Sequence, residues 1–186
     1  MQIDQQLSRC MVITNYRTGS TCFTEENSRA HALYNRYEFI NDSPNLQFVE
    51  NTLKKSSRFM FKLMPDQIGY NSDIIKRLKV YCNEIIYLYR KDYKQQVKSW
   101  IAWNESGDQT PGSNKSYNIN VSQADADKYA GTIYKNNEAL KKFYNLYPGP
   151  VYAYEDIHDN NPYPRQYNWK TMPTIKNYNT KEMFNG

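Results

Sequence analysis

The segment CMVITNYRTGSTCFTEEN, residues 10–27, carries the strongest indication of the fold. An apolar, β-branched run at residues 10–16 predicts a buried strand, RTGS predicts a turn, and residues 21–37 are compatible with a helix. A strand that turns into a helix presents backbone N–H groups and the positive end of the helix dipole to an anion. Such a turn is also common in loops that bind nothing. The pattern favours an anion-binding loop of five residues: Arg17, Thr18, Gly19, Ser20 and Thr21.

Further apolar runs repeat the strand and helix pattern along the chain. Residues 58–64 and 83–90 predict two strands, and VYAYEDI at residues 151–157 predicts another with Glu155 and Asp156 at its carboxyl end. Helical spacing fills the intervals, with Ser72 or Asp73 as the cap of one helix and Ser122 as the cap of one or two others. The alternation predicts a three-layer α/β/α fold with a four- to five-stranded parallel sheet and a P-loop-like phosphate-binding loop after the first strand.

The length of 186 residues suits a single domain over residues 1–186, with a less regular tail at residues 159–186 and a polar loop at residues 106–116. No apolar run approaches the roughly 20 residues that span a membrane. The three cysteines form no CxxC pair, which predicts reduced thiols, a cytoplasmic location and no zinc site. The net charge of +5 suits an anionic partner, but the cations are scattered, which disfavours nucleic acid.

A second basic element follows the strand at residues 83–90. Arg90 ends that strand, and Ser99 follows on the next predicted helix, so both side chains are candidates to bind one phosphate. The first loop lacks the GK[ST] ending of nucleoside-triphosphatase loops, and therefore kinase and ATPase functions are disfavoured.

These two elements resemble the pattern strand-RSGST-helix, then strand-RRDxxxQxxS, of sulfotransferases that use 3′-phosphoadenosine 5′-phosphosulfate. The bacterial trehalose-sulfotransferase-like branch is the most similar, over residues 11–40 and 58–103, and VYAYEDI resembles its late Y-E-D-L segment. The resemblance implies that RTGST binds the 5′-phosphosulfate, that Arg90 and Ser99 bind the 3′-phosphate, and that no metal is required. The product would be adenosine 3′,5′-bisphosphate.

The chain departs from the family pattern at three positions. Tyr16 replaces a proline before the loop arginine, Lys91 replaces a second arginine, and Met64 stands where many members have a catalytic histidine. The short chain implies a reduced acceptor-binding region.

The resemblance also implies catalytic roles. Arg17 would stabilise charge on the leaving oxygen, and Glu38 would be the general base, with His31 and Asp66 as alternatives. Lys62 either faces the sulfonate or is an exposed lysine at a strand end, and structural roles are favoured for the two carboxylates of VYAYEDI. Tail cations would cover the nucleotide: Arg165, Lys170 and Lys176.

The function implied is transfer of a sulfuryl group from 3′-phosphoadenosine 5′-phosphosulfate to a hydroxyl of a carbohydrate or small metabolite. The missing histidine and the short chain keep a second function open, that of a catalytically inactive 3′-phosphonucleotide-binding or interaction protein.

Overall fold

Five parallel strands form the central sheet of the computed structural model, which describes residues 8–35, 46–106 and 121–158. The strands are Arg9–Thr14 (β1), Tyr34–Asn35 (β2), Phe59–Leu63 (β3), Glu84–Tyr89 (β4) and Val151–Ala153 (β5). They lie in the order β2-β3-β1-β4-β5, and all four pairings are parallel. The predicted parallel α/β fold is confirmed.

Six helices of the described residues surround this sheet: Ser20–Ala30 (α1), Leu46–Lys55 (α2), Ser72–Lys79 (α3), Tyr93–Ser106 (α4), Gln123–Leu146 (α5) and Tyr154–His158 (α6). A short 3₁₀ helix, Pro65–Ile68, follows β3. Among the described residues, no helix combines the length and the apolar character needed to cross a membrane.

The alternation of side chains along β1 produces two apolar layers. Cys10 and Val12 pack with Phe23 of α1 on one face, whereas Met11 and Ile13 pack on the other face with residues of α2, α3 and α5. A third apolar cluster joins α4 to α5. Helices therefore cover both faces of the sheet, as a three-layer fold requires.

Several predicted boundaries are wrong. The first helix ends at Ala30 rather than near residue 37, because Ala32 adopts a left-handed conformation and the N–H of Leu33 donates to the carbonyl of Ser28. Asn71, not Ser72 or Asp73, caps α3 through a hydrogen bond from the Asp73 N–H.

The predicted strand at residues 151–157 has only three strand residues. Glu155 and Asp156 do not lie at a strand end but in the first turn of α6. Acidic side chains in the first turn of a helix interact favourably with the helix dipole. Ser122 caps α5 as expected, and α5 is one continuous helix.

β1 and β4 are adjacent strands whose connections lead to opposite edges of the sheet. The chain leaves β1 toward β2 at one edge of the sheet, and it leaves β4 toward β5 at the other edge. Open parallel sheets bind ligands outside the carboxyl ends of two adjacent strands whose connections diverge in this way. The two predicted phosphate elements follow these same two strands.

Candidate functional site

The loop between β1 and α1 contains two left-handed residues. Arg17 has φ 58° and Gly19 has φ 67°. Gly19 is the N-cap of α1, and within the part of the chain that the structure describes no side-chain hydrogen bond caps this helix. A non-glycine residue in the left-handed region is uncommon and is found most often where a function requires it. The loop thus presents the start of an eleven-residue helix without a side-chain cap.

Asn15, fully buried at the end of β1, attaches the loop to α5. Its Nδ2 donates to the carbonyl of Ile133 at 2.9 Å and to Oδ1 of Asn137 at 2.8 Å. Its Oδ1 accepts from the N–H of Tyr16 at 2.7 Å and from Nδ2 of Asn136 at 3.1 Å. Every donor and acceptor position of this buried amide is occupied, which fixes where the loop begins.

Tyr16 joins the same loop to α4 and to the 3₁₀ helix that follows β3. Its ring stacks on Trp100, with ring centroids 3.9 Å apart, and its hydroxyl donates to Oδ2 of Asp66 at 2.7 Å. The Tyr16 carbonyl accepts from Nε2 of the buried Gln96 at 2.7 Å. Tyr16 is therefore held by stacking and by hydrogen bonds.

Arg17, Ser99 and Arg90 meet beyond the carboxyl ends of β1 and β4. Nε of Arg17 donates to Oγ of Ser99 at 2.8 Å. Nη1 of Arg90 lies 3.5 Å from the carbonyl oxygen of Arg17. Residues that are 73 and 82 positions apart in sequence thus form one basic cluster.

Among the described residues, no carboxylate forms an ion pair with Arg17. Desolvation is the main cause that lowers the pKa of its guanidinium; Tyr154 opposes this effect and the neighbouring Arg90 cation adds to it. Arg17 remains charged, since guanidinium pKa values lie far above neutrality. Two adjacent cations, one of them partly desolvated, favour the binding of an anion.

Lys62 is buried at the end of β3, on the face covered by α1. Its ammonium donates to Oγ1 of Thr21 at 2.9 Å, so it lies beside the first turn of α1 and is not an exposed lysine at a strand end. Thr18 is also buried, and its hydroxyl donates to the carbonyl of Asn15 at 2.9 Å. Ser20, the first residue of α1, is 9% exposed.

The other residues considered for catalysis lie away from this cluster or outside the described residues. His31 follows the last turn of α1, at the opposite end of that helix from the loop, and its carbonyl accepts a hydrogen bond from Arg58. Met64, directly after β3, is 3% exposed. Glu38 and the three tail cations, together with the loop predicted at residues 106–116 beyond Ser106, lie outside the described residues.

The sequence did not indicate two residues that contact the site. Tyr154 lies under the guanidinium of Arg90, with Cζ 4.4 Å from the ring centroid. Asn15 falls within the apolar run of the first predicted strand, although an asparagine at the end of a buried strand indicates a hydrogen-bonded anchor. Tyr154 belongs to the segment that resembles Y-E-D-L, but its contact with Arg90 could not be predicted, because that contact depends on the pairing of β4 with β5.

No protein-family model matches this chain, and no curated protein matches its sequence.

Proposed function

We propose that this protein is a sulfotransferase that uses 3′-phosphoadenosine 5′-phosphosulfate. The observation that carries the proposal is the 2.8 Å hydrogen bond between Arg17 and Ser99, because it joins the two elements on which the resemblance depends. A ligand with two separated anionic groups matches a basic cluster that extends from the first turn of α1 to Arg90.

The residues present fit such a ligand. Nε of Arg90 is buried and has no hydrogen-bond partner within the described part of the chain, but it forms an ion pair with Glu155, whose Oε1 lies 3.7 Å away. The Nη nitrogens of the same guanidinium carry further N–H donors for a phosphate oxygen. The uncapped N–H groups of α1 offer a second set of donors, to which Lys62 adds a charge.

When bound, 3′-phosphoadenosine 5′-phosphosulfate supplies the sulfuryl group and a phosphate leaving group. We assign Arg17 and Lys62 to stabilise negative charge near the start of α1, since both cations adjoin that turn. Arg90 and Ser99 are assigned to the 3′-phosphate. The hydroxyl acceptor is proposed to be a carbohydrate or a small metabolite.

Binding of adenosine 3′,5′-bisphosphate, the expected product, tests the proposal without knowledge of the acceptor. A saturating concentration should raise the midpoint of thermal unfolding by about 5 °C or more. Arg17→Ala and Ser99→Ala should each reduce this shift, whereas Lys94→Ala, on the exposed side of α4, should leave it unchanged. An unshifted midpoint for the unchanged protein would remove the basis of the proposal.

Glu38 remains the proposed general base. Glu38→Gln should preserve the binding of adenosine 3′,5′-bisphosphate and abolish sulfuryl transfer, because an amide cannot accept the proton of the acceptor hydroxyl. Transfer of labelled sulfate from the donor to a panel of sugars and small alcohols measures this. Full activity in the Gln variant would exclude Glu38 as the base.

The buried Met64 favours a second candidate, a 3′-phosphonucleotide-binding protein without catalytic activity, because the side chain in the position of the family histidine cannot accept a proton. The two functions make different predictions in the same assays. Tight binding of the bisphosphate with no labelled product from any acceptor supports the inactive protein.

A further inference from the structure

Glu155 lies in the first turn of α6, directly after β5, and contacts the turn that follows β4. Its Oε2 accepts from the N–H of Lys91 at 2.9 Å, and its Oε1 accepts from the N–H of Asp92 at 3.0 Å. Oε1 also lies 3.7 Å from Nε of Arg90. One carboxylate therefore contacts three successive residues between β4 and α4.

The same short segment contacts the guanidinium of Arg90 from another side. Arg90 stacks on the ring of Tyr154, the residue before Glu155, and only 14% of its side chain is exposed. A free arginine side chain samples many rotamers, and fixing it costs entropy. The two neighbours restrict Arg90 to a position facing the Arg17 carbonyl before any ligand binds.

We propose that Glu155 is the positioning residue of the 3′-phosphate site: it fixes the turn at residues 90–92 so that Arg90 faces Arg17. This inference rests on the proposed function, and Glu155 acts on the nucleotide only through Arg90. Hydrogen bonds from backbone N–H groups to a carboxylate are stronger than those to a neutral acceptor. The negative charge also offsets the repulsion between Arg17 and Arg90.

Asp156 provides a matched control because it is the adjacent carboxylate on the same helix. It pairs with Nζ of Lys91 at 2.9 Å, and the Lys91 side chain is 41% exposed. An ion pair with so exposed a partner contributes little. Removing the charge of Asp156 should therefore leave Arg90 in place, whereas removing that of Glu155 should release it.

Calorimetric titration with adenosine 3′,5′-bisphosphate measures both effects. Glu155→Gln should weaken binding about tenfold and Asp156→Asn less than about twofold. In a chain that already carries Arg90→Ala, adding Glu155→Gln should change the affinity by less than about twofold. Equal losses from Glu155→Gln with and without Arg90, or no loss at all, would overturn the inference.

Amide hydrogen exchange in the ligand-free protein separates this inference from the proposed function. The N–H groups of Lys91 and Asp92 should exchange faster in Glu155→Gln and at the original rate in Asp156→Asn. If the nucleotide fails to bind the unchanged protein, the proposed function fails; unaltered exchange in Glu155→Gln refutes the positioning of the turn. If the Gln variant does not fold, Glu155→Asp, which withdraws the carboxylate from the turn, replaces it. Glu155→Asp should show the same faster exchange, and an unaltered exchange rate in this variant would also refute the positioning of the turn.

Discussion

The loop after β1 and the turn after β4 meet beyond the carboxyl ends of these two strands, but different interactions fix them. Neutral amides that are wholly buried, Asn15 and Gln96, hold the loop. The partly exposed carboxylate of Glu155 holds the turn. Buried amide networks are rigid and costly to break, whereas charges near the surface are screened by salt and contribute less to stability. The loop should therefore matter for folding, and the turn should matter mainly for binding.

The largest effect is expected from Asn15→Ala. The change removes four hydrogen bonds and leaves buried partners on α5 without a donor or an acceptor, which should lower the free energy of unfolding by about 3 kcal/mol. Urea denaturation measures the loss. Asn83→Ala, at an exposed asparagine before β4, is the control and should change stability by less than about 0.5 kcal/mol. A small loss at Asn15 would show that the amide cluster does not hold the loop.

A smaller effect separates backbone strain from side-chain function within the loop. Arg17→Gly should be more stable than Arg17→Ala by about 1 kcal/mol, because both lose the guanidinium but only glycine accepts φ 58° without strain. Gly19→Ala should be less stable than the unchanged protein by about 1 kcal/mol for the same reason. Urea denaturation also measures these differences.

Neither Arg17 variant should bind adenosine 3′,5′-bisphosphate normally. If Arg17→Gly and Arg17→Ala are equally stable, the left-handed conformation of Arg17 carries no strain. That conformation then gives no indication that a function maintains it.

The sheet could be predicted from the sequence because its long strands are apolar runs that end at turn residues. β3 and β4 each lie within a predicted run, and β1 begins one residue before its predicted run, at Arg9, and ends two residues before that run does, at Thr14. β2 could not be predicted, since it has two residues, its Tyr34 is 58% exposed, and only pairing with Phe59 and Met60 of β3 defines it. Local pattern was sufficient for the strands that are buried on both faces.

The candidate site was predictable in its parts but not in its assembly. Arg17, Arg90 and Ser99 were each identified as anion ligands from their motifs. Their direct contact depends on β1 and β4 being neighbours, which no local pattern determines. The contacts of Glu155 with the turn after β4 span 63 and 64 positions and likewise follow from strand order.

The Arg17 loop and the Arg90 turn together are proposed to bind a nucleotide with two separated phosphates. Calorimetric titration of the unchanged protein and of Ser99→Ala with adenosine 3′,5′-bisphosphate and with adenosine 5′-monophosphate measures whether both phosphates contribute to binding. The bisphosphate should bind the unchanged protein at least about tenfold more tightly, and Ser99→Ala should remove most of that preference. Equal affinity for the two nucleotides would contradict the claim.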